Sequence, residues 1–170
     1  MTPIQINKIN EENLFNILLN CFEITGIDNL ALANEVLSNQ KRLSDNKNTS
    51  LYEDTVFNVD SGEQSSRLLK AIQTLTHQSN LNIKEVWSQI HYPKESTGLH
   101  NHGHFQMAFV YYVSVPSGSG DLVFSLENGL LLKEVTPVEG RLLVFPGWVN
   151  HKVSKNTGDK IRISISGNLA

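Results

Sequence analysis

The sequence predicts a mainly β fold, a sandwich, jelly roll or barrel, with helices packed on one outer face. Two patterns lead there. Before residue 82 the apolar residues recur at helical spacing, and from Asn82 onward short runs rich in Val, Ile, Phe and Tyr recur between turn residues. Size supplies the third observation: 170 residues, 39% hydrophobic and 18% charged, suffice for one packed core and are too apolar for a disordered chain. The chain reads as one domain over 1–170, with a mostly helical part over 1–81 and a β core over 82–168.

In the N-terminal part, Leu14, Phe15, Leu18, Leu19 and Phe22 form one helically spaced group, and Leu30, Ala33, Val36 and Leu37 form another. The turn Thr25-Gly26-Ile27-Asp28 separates them, and Asp28 or Asn29 is placed to cap the second helix. Residues 44–63 are rich in Ser, Asp, Asn and Gly, with a short extended piece at Thr55-Val56-Phe57-Asn58-Val59. A third helix over roughly 63–79 presents Leu68, Leu69, Ile72 and Leu75 on one side.

Beyond it we predict about eight strands, at 83–92, 97–103, 107–115, 121–126, 129–135, 140–145, 149–154 and 160–166. They are separated at Pro93-Lys94, Pro116-Ser117-Gly118-Ser119-Gly120, Asn128-Gly129, Glu139-Gly140, Pro146-Gly147 and Asn156-Thr157-Gly158.

Charge and cysteine usage narrow the function classes. Fourteen Lys and Arg against 17 Asp and Glu leave −3, and without a basic run there is little electrostatic reason to bind nucleic acid or an anionic membrane. A single cysteine, Cys21, excludes an internal disulfide framework and zinc sites built from several thiolates, and it suits a reducing compartment. No stretch reaches the ~18 apolar residues of a membrane span, and the N-terminus lacks a basic start followed by an apolar run, so a cytoplasmic location is expected.

Four of the six histidines, His91, His100, His102 and His104, crowd into one short stretch, and His151 stands near the end. Residues two apart in an extended chain share a face, so His100 and His102 can offer nitrogens to one metal. His151 follows the turn Phe145-Pro146-Gly147-Trp148 and suits a third ligand from a distant strand. Three protein ligands on one face leave positions open for substrate or oxygen, as in non-haem iron sites, where two His and one carboxylate are usual. His102 with His104 is an alternative pair of the same parity, whereas His77 and His91 read as structural.

Four motifs add to this reading. The first is Trp87, then His100-Asn101-His102-Gly103, then Val110-Tyr111-Tyr112-Val113 with Pro116. The second is Gly120-Asp121-Leu122-Val123-Phe124. The third and most specific runs from Pro137 through Glu139-Gly140 and Phe145-Pro146 to His151-Lys152-Val153, and the fourth is Arg162-Ile163-Ser164. Over roughly residues 85–168 the chain resembles the iron(II) and 2-oxoglutarate dependent oxygenase superfamily, specifically a small bacterial and phage-associated group with a His-x-His…His site.

The resemblance implies a double-stranded β-helix, a cupin-like jelly roll. It implies Fe(II) held by His100, His102 and His151, and 2-oxoglutarate whose far carboxylate is gripped by Arg162 and Ser164. Tyr112, on a strand expected to line the cavity, is the candidate for orienting 2-oxoglutarate or a bound water. Arg162 and Ser164 share one strand face, so a guanidinium fork and a hydroxyl can converge on a carboxylate. Dioxygen is the other co-substrate, and the implied reaction is hydroxylation of a prolyl or other protein side chain, or of a small molecule, with release of succinate and carbon dioxide. Most of the superfamily has Asp or Glu where this chain has His102. That departure keeps a second reading open, a non-oxidative cupin-like protein that binds a metal and a carboxylate.

Overall fold

The computed structural model describes residues 3–14, 17–39, 62–126 and 129–170. The chain begins with two strands, β1 (Gln5–Leu14) and β2 (Ile17–Thr25), followed by two helices, α1 (Asn29–Asn39) and α2 (Glu63–His77). Eight further strands come next: β3 (Ile83–His91), β4 (Thr97–His100), β5 (Met107–Ser114), β6 (Leu122–Ser125), β7 (Leu131–Val135), β8 (Arg141–Pro146), β9 (Asn150–Val153) and β10 (Arg162–Leu169). Each falls on one of the runs predicted between 83 and 166, because turn residues break the sequence there into short runs rich in β-branched and aromatic residues.

The ladders are antiparallel and make two sheets, of order β1-β2-β8-β5-β10-β3 and β4-β9-β6-β7. The inner face of the larger sheet packs on the smaller one through Ala108, Val110, Tyr112, Leu143 and Phe145 against Leu122, Phe124 and Val153. Its outer face carries Phe109, Tyr111, Val113, Leu142, Val144, Ile163 and Ile165, which pack under Leu32 and Val36 of α1 and Leu68, Leu69 and Ile72 of α2. The result is a jelly-roll sandwich with helices on one outer face.

The helices start where local chemistry satisfies their first amides. Asp28 Oδ1 accepts the Ala31 N–H at 3.0 Å and caps α1. Gly62 opens α2 without a side-chain cap, and Glu35 of α1 supplies one instead by accepting the Gln64 and Ser65 N–H groups, each at 2.9 Å, and the Ser65 hydroxyl. Burial alone would raise the Glu35 carboxyl, but these bonds outweigh it and hold it below its ordinary value.

One predicted helix is corrected. The segment containing Leu14, Leu18, Leu19 and Phe22 forms a β-hairpin, in which β2 pairs with β1 and, through Asn20 to Glu23, with β8. Ile17 and Leu19 enter the sandwich interior while Ile24 and Phe22 lie on the side of the helices. A strand apolar on both faces scatters its hydrophobic residues at intervals that mimic a helix. The part up to residue 81 is accordingly strand and helix rather than mostly helical. The extended piece expected at Thr55 to Val59 lies outside the described residues. Among the described residues no helix is long and apolar enough to cross a membrane.

A bulge in β4 sets the direction of its side chains. Thr97 pairs with Val153 and His100 with His151, so three steps along β4 match two along β9. The surplus residue lets both Thr97 and His100 face the sandwich interior, which regular alternation would forbid.

Candidate metal centre and anion pocket

His100 ends β4 and His151 sits opposite it on β9, their ring centroids 4.3 Å apart. His102 lies two residues past the strand end, where its N–H donates to the Gly147 carbonyl at 2.7 Å and Gly103 turns the chain with φ +55°. One nitrogen from each of the three rings lies within 4.8 Å of the others. The Nε2 atoms of His102 and His151 are 3.2 Å apart, the spacing of neighbouring donors on one ion with metal–nitrogen bonds of about 2.0–2.1 Å.

Backbone carbonyls set which nitrogen faces inward. Nδ1–H of His100 donates to Gly98 O at 2.8 Å, and Nδ1–H of His151 donates to Val149 O at 2.9 Å. Each leaves Nε2 with its lone pair directed to the cluster, the arrangement a metal ligand needs. Burial, then the neighbouring imidazoles, pushes His151 down to about 3 and His102 down to about 4, and burial lowers His100. All three rings are therefore neutral near pH 7, the protonation state that binds metal.

The surroundings hold this geometry. Phe124 and Phe145 flank the His151 ring, and Trp87 lies 5.6 Å from His102. Asn101 Nδ2 donates to Asn150 Oδ1 at 2.8 Å while its own Oδ1 accepts the Gly103 N–H, tying the His102 loop to the His151 strand. His104, the alternative ligand, is exposed and stacks on Phe105 outside the cluster. Trp148 is 55% exposed, and Phe145 is core.

Deeper in the same interior, β10 places Arg162 and Ser164 on one face, and Tyr112 of β5 pairs with Ser164. Arg162 is 1% exposed, with its guanidinium carbon 5.3 Å from the centre of the Tyr112 ring. Its Nε and Nη1, the Ser164 Oγ and the Tyr112 hydroxyl are buried without a hydrogen-bond partner. Burial lowers Arg162, offset by Tyr112 and Asp121, and burial raises Tyr112 to about 12, so the phenol keeps its proton. A buried cation with unpaired donors beside two unpaired hydroxyls fits a bound carboxylate.

From residue type alone His91 reads as structural and Gln89 carries no assignment. Both reach the pocket: His91 pairs with Arg162 and Gln89 with Ser164 across the β3–β10 ladder, and both side chains bond to Thr97. The signal is their parity with Trp87, which becomes readable only with the β10 register. Asn156 is a further anchor that its sequence context does not reveal. It is 1% exposed, its Nδ2 donates to His91 O and Lys160 O, and its Oδ1 accepts the Gly158 N–H.

Comparison with known proteins agrees with this geometry. Residues 129–168 match the profile of the family described as "Putative 2OG-Fe(II) oxygenase", a range that contains His151, Arg162 and Ser164. No curated protein sequence matches. Among solved structures, a Pseudomonas putida prolyl-4-hydroxylase aligns at TM-score 0.61 and 21% identity, over 81% of this chain and 77% of its own. A 2OG-Fe(II) oxygenase-family oxidoreductase from Burkholderia pseudomallei aligns at 0.54 and 12%, over 65% of this chain and 58% of its own. The non-haem α-ketoglutarate dependent epimerase SnoN of nogalamycin biosynthesis aligns at 0.51 and 14%, over 64% and 57%. This chain thus spans under two thirds of the length of two of these three. It is to the 2OG-Fe(II) oxygenases that the chain is similar, in fold over most of its described length and in sequence over residues 129–168, and it brings together three histidines able to hold a metal.

Proposed function

We propose that this protein is an Fe(II)- and 2-oxoglutarate-dependent dioxygenase, with His100, His102 and His151 as the metal ligands and Arg162, Ser164 and Tyr112 as the 2-oxoglutarate pocket. The observation that carries the proposal is the meeting, inside one sandwich, of three inward-facing imidazoles and a buried guanidinium that has no carboxylate partner among the described residues. The bound iron would supply oxidation chemistry, coupling decarboxylation of 2-oxoglutarate to hydroxylation of a C–H bond. The chain's own part is positional. The carbonyls of Gly98 and Val149 keep two ligand rings aimed inward, Arg162 and Ser164 fix one end of the co-substrate, and Phe124, Phe145 and Tyr112 exclude water from the space between.

The hydroxylated group is a prolyl or other protein side chain, or a small molecule. The prolyl-4-hydroxylase neighbour favours the first and the epimerase shows that the fold serves other chemistry. A cytoplasmic site of action belongs to the same proposal, supported by the lone Cys21 and by the reducing conditions that keep iron ferrous.

Because His102 stands where a carboxylate is usual, a non-oxidative protein that binds a metal and a carboxylate is the second reading. One experiment separates them. Anaerobic addition of Fe(II) and 2-oxoglutarate should give a weak visible charge-transfer band, and admitting air should then release succinate. A band without succinate favours the second reading, and no band removes the first.

A further inference from the structure

Three side chains beside the anion pocket have no part in the proposed ligand set: Gln89, His91 and Thr97. His91 is 4% exposed and is the direct cross-strand neighbour of Arg162, which puts the two β-carbons about 5 Å apart on the inner face. Thr97 reaches the pair from the other sheet. Its Oγ1 accepts the Gln89 Nε2–H at 2.7 Å and lies 2.8 Å from His91 Nε2.

The hydrogens can be followed. Gln89 fills one lone pair of Thr97 Oγ1, and the Thr97 hydroxyl hydrogen can be donated to His91 Nε2, in the tautomer whose Nδ1 carries the ring hydrogen. Burial, then the charge of Arg162, holds the ring neutral, with its pKa lowered to about 4. His91 Nδ1 is buried and has no partner. It joins Arg162 Nε and Nη1, Ser164 Oγ and Tyr112 Oη on residues paired across three adjacent strands, β3, β10 and β5. Leaving so many buried donors unmade is costly, and an anionic acceptor satisfies them together.

We propose that His91 is a further binding residue for the far carboxylate of 2-oxoglutarate, donating from Nδ1, and that Thr97 is the positioning residue that fixes this tautomer. The proposal rests on the oxygenase reading and adds to it a link between the two sheets: Thr97 sits three residues before His100, so one short strand orients a metal ligand and a carboxylate donor.

The test titrates 2-oxoglutarate and pyruvate, which lacks the far carboxylate, into Mn(II)-loaded protein, where binding is read without turnover. His91→Gln keeps a polar end near the place of Nε2 and removes Nδ1, whereas His91→Asn keeps one near Nδ1. His91→Gln is expected to weaken 2-oxoglutarate about ten- to hundredfold and leave pyruvate unchanged, and His91→Asn to recover most of the loss. Thr97→Val should weaken it similarly and Thr97→Ser should not. Independently, the 15N resonances of the His91 ring in the wild-type protein should show hydrogen on Nδ1, a readout that needs no variant to fold. Equal 2-oxoglutarate affinity for wild type and His91→Gln, an equal loss for pyruvate, or hydrogen on Nε2 would overturn the proposal. If wild-type protein binds neither ligand, the oxygenase reading fails and the proposal falls with it.

Discussion

His102 and His151 are 49 residues apart in the chain, and their Nε2 atoms lie 3.2 Å apart in the fold. One belongs to a loop and the other to a strand, and Asn101 with Asn150 braces the two. His151→Ala should therefore lose metal rather than structure. Metal analysis after dialysis against Fe(II) or Mn(II) is expected to show affinity reduced at least about hundredfold, with His104→Ala retaining the wild-type amount.

Under the proposed function, Arg162 serves a bound carboxylate and costs the ligand-free fold stability. A cation 1% exposed, with two unpaired nitrogens, destabilises the ligand-free protein. Arg162→Met should raise the stability of that form by about 1–4 kcal/mol, seen as an unfolding midpoint several degrees higher. The same variant should lose stabilisation by added 2-oxoglutarate. A lower midpoint in the ligand-free variant would mean that the guanidinium is structural.

Acid should weaken the fold through His91. Its pKa is about 4 in the folded protein against 6.5 when unfolded, so below pH 6.5 the unfolded chain takes up a proton that the folded chain refuses until about pH 4. The stabilisation is complete above 6.5 and is lost as pH falls toward 4, reaching about 2 kcal/mol of loss at pH 5 from this residue alone. Urea unfolding of His91→Phe across pH 7 to 4 should show a shallower decline than wild type.

Asn156 closes the β9–β10 connection onto β3 with three side-chain hydrogen bonds, and its backbone adds bonds to Lys94 and Glu95. Asn156→Ala leaves the Gly158 amide and two carbonyls short of partners and should cost on the order of 3 kcal/mol by urea denaturation. Since it props the end of β3 that carries His91, 2-oxoglutarate affinity should fall with it.

Gly120 is a packing requirement that composition hides. A Cβ there would collide with the Ser154 carbonyl, where the chain leaves β9. Gly120→Ala is expected to destabilise by roughly 1–3 kcal/mol, measured by thermal unfolding, without touching a ligand.

The strands from β3 onward are legible in the sequence because turn residues punctuate them into short runs rich in β-branched and aromatic residues. The β1–β2 hairpin is not, since Ile17 and Leu19 serve one core and Ile24 another, which erases the period of two, and no Gly or Pro stands between residues 5 and 25 to break the run into strands. The same contrast holds in the site. His100, His102 and His151 advertise themselves through residue type and crowding, and Arg162-Ile163-Ser164 through its motif. His91, Gln89 and Thr97 acquire meaning only from register, because what makes His91 more than a buried imidazole is that Arg162 is its partner on the next strand. No local pattern encodes which strands pair.

The surplus residue in β4 reconciles an odd spacing with a single face, which makes this part of the interior tolerant of a change in length. Removing either Gly98 or Leu99 would regularise the ladder against β9 and leave Thr97 and His100 two apart, so both side chains would still point inward. Relatives of this chain can thus differ by one residue between these two positions and keep both the candidate ligand and the side chain that props the pocket.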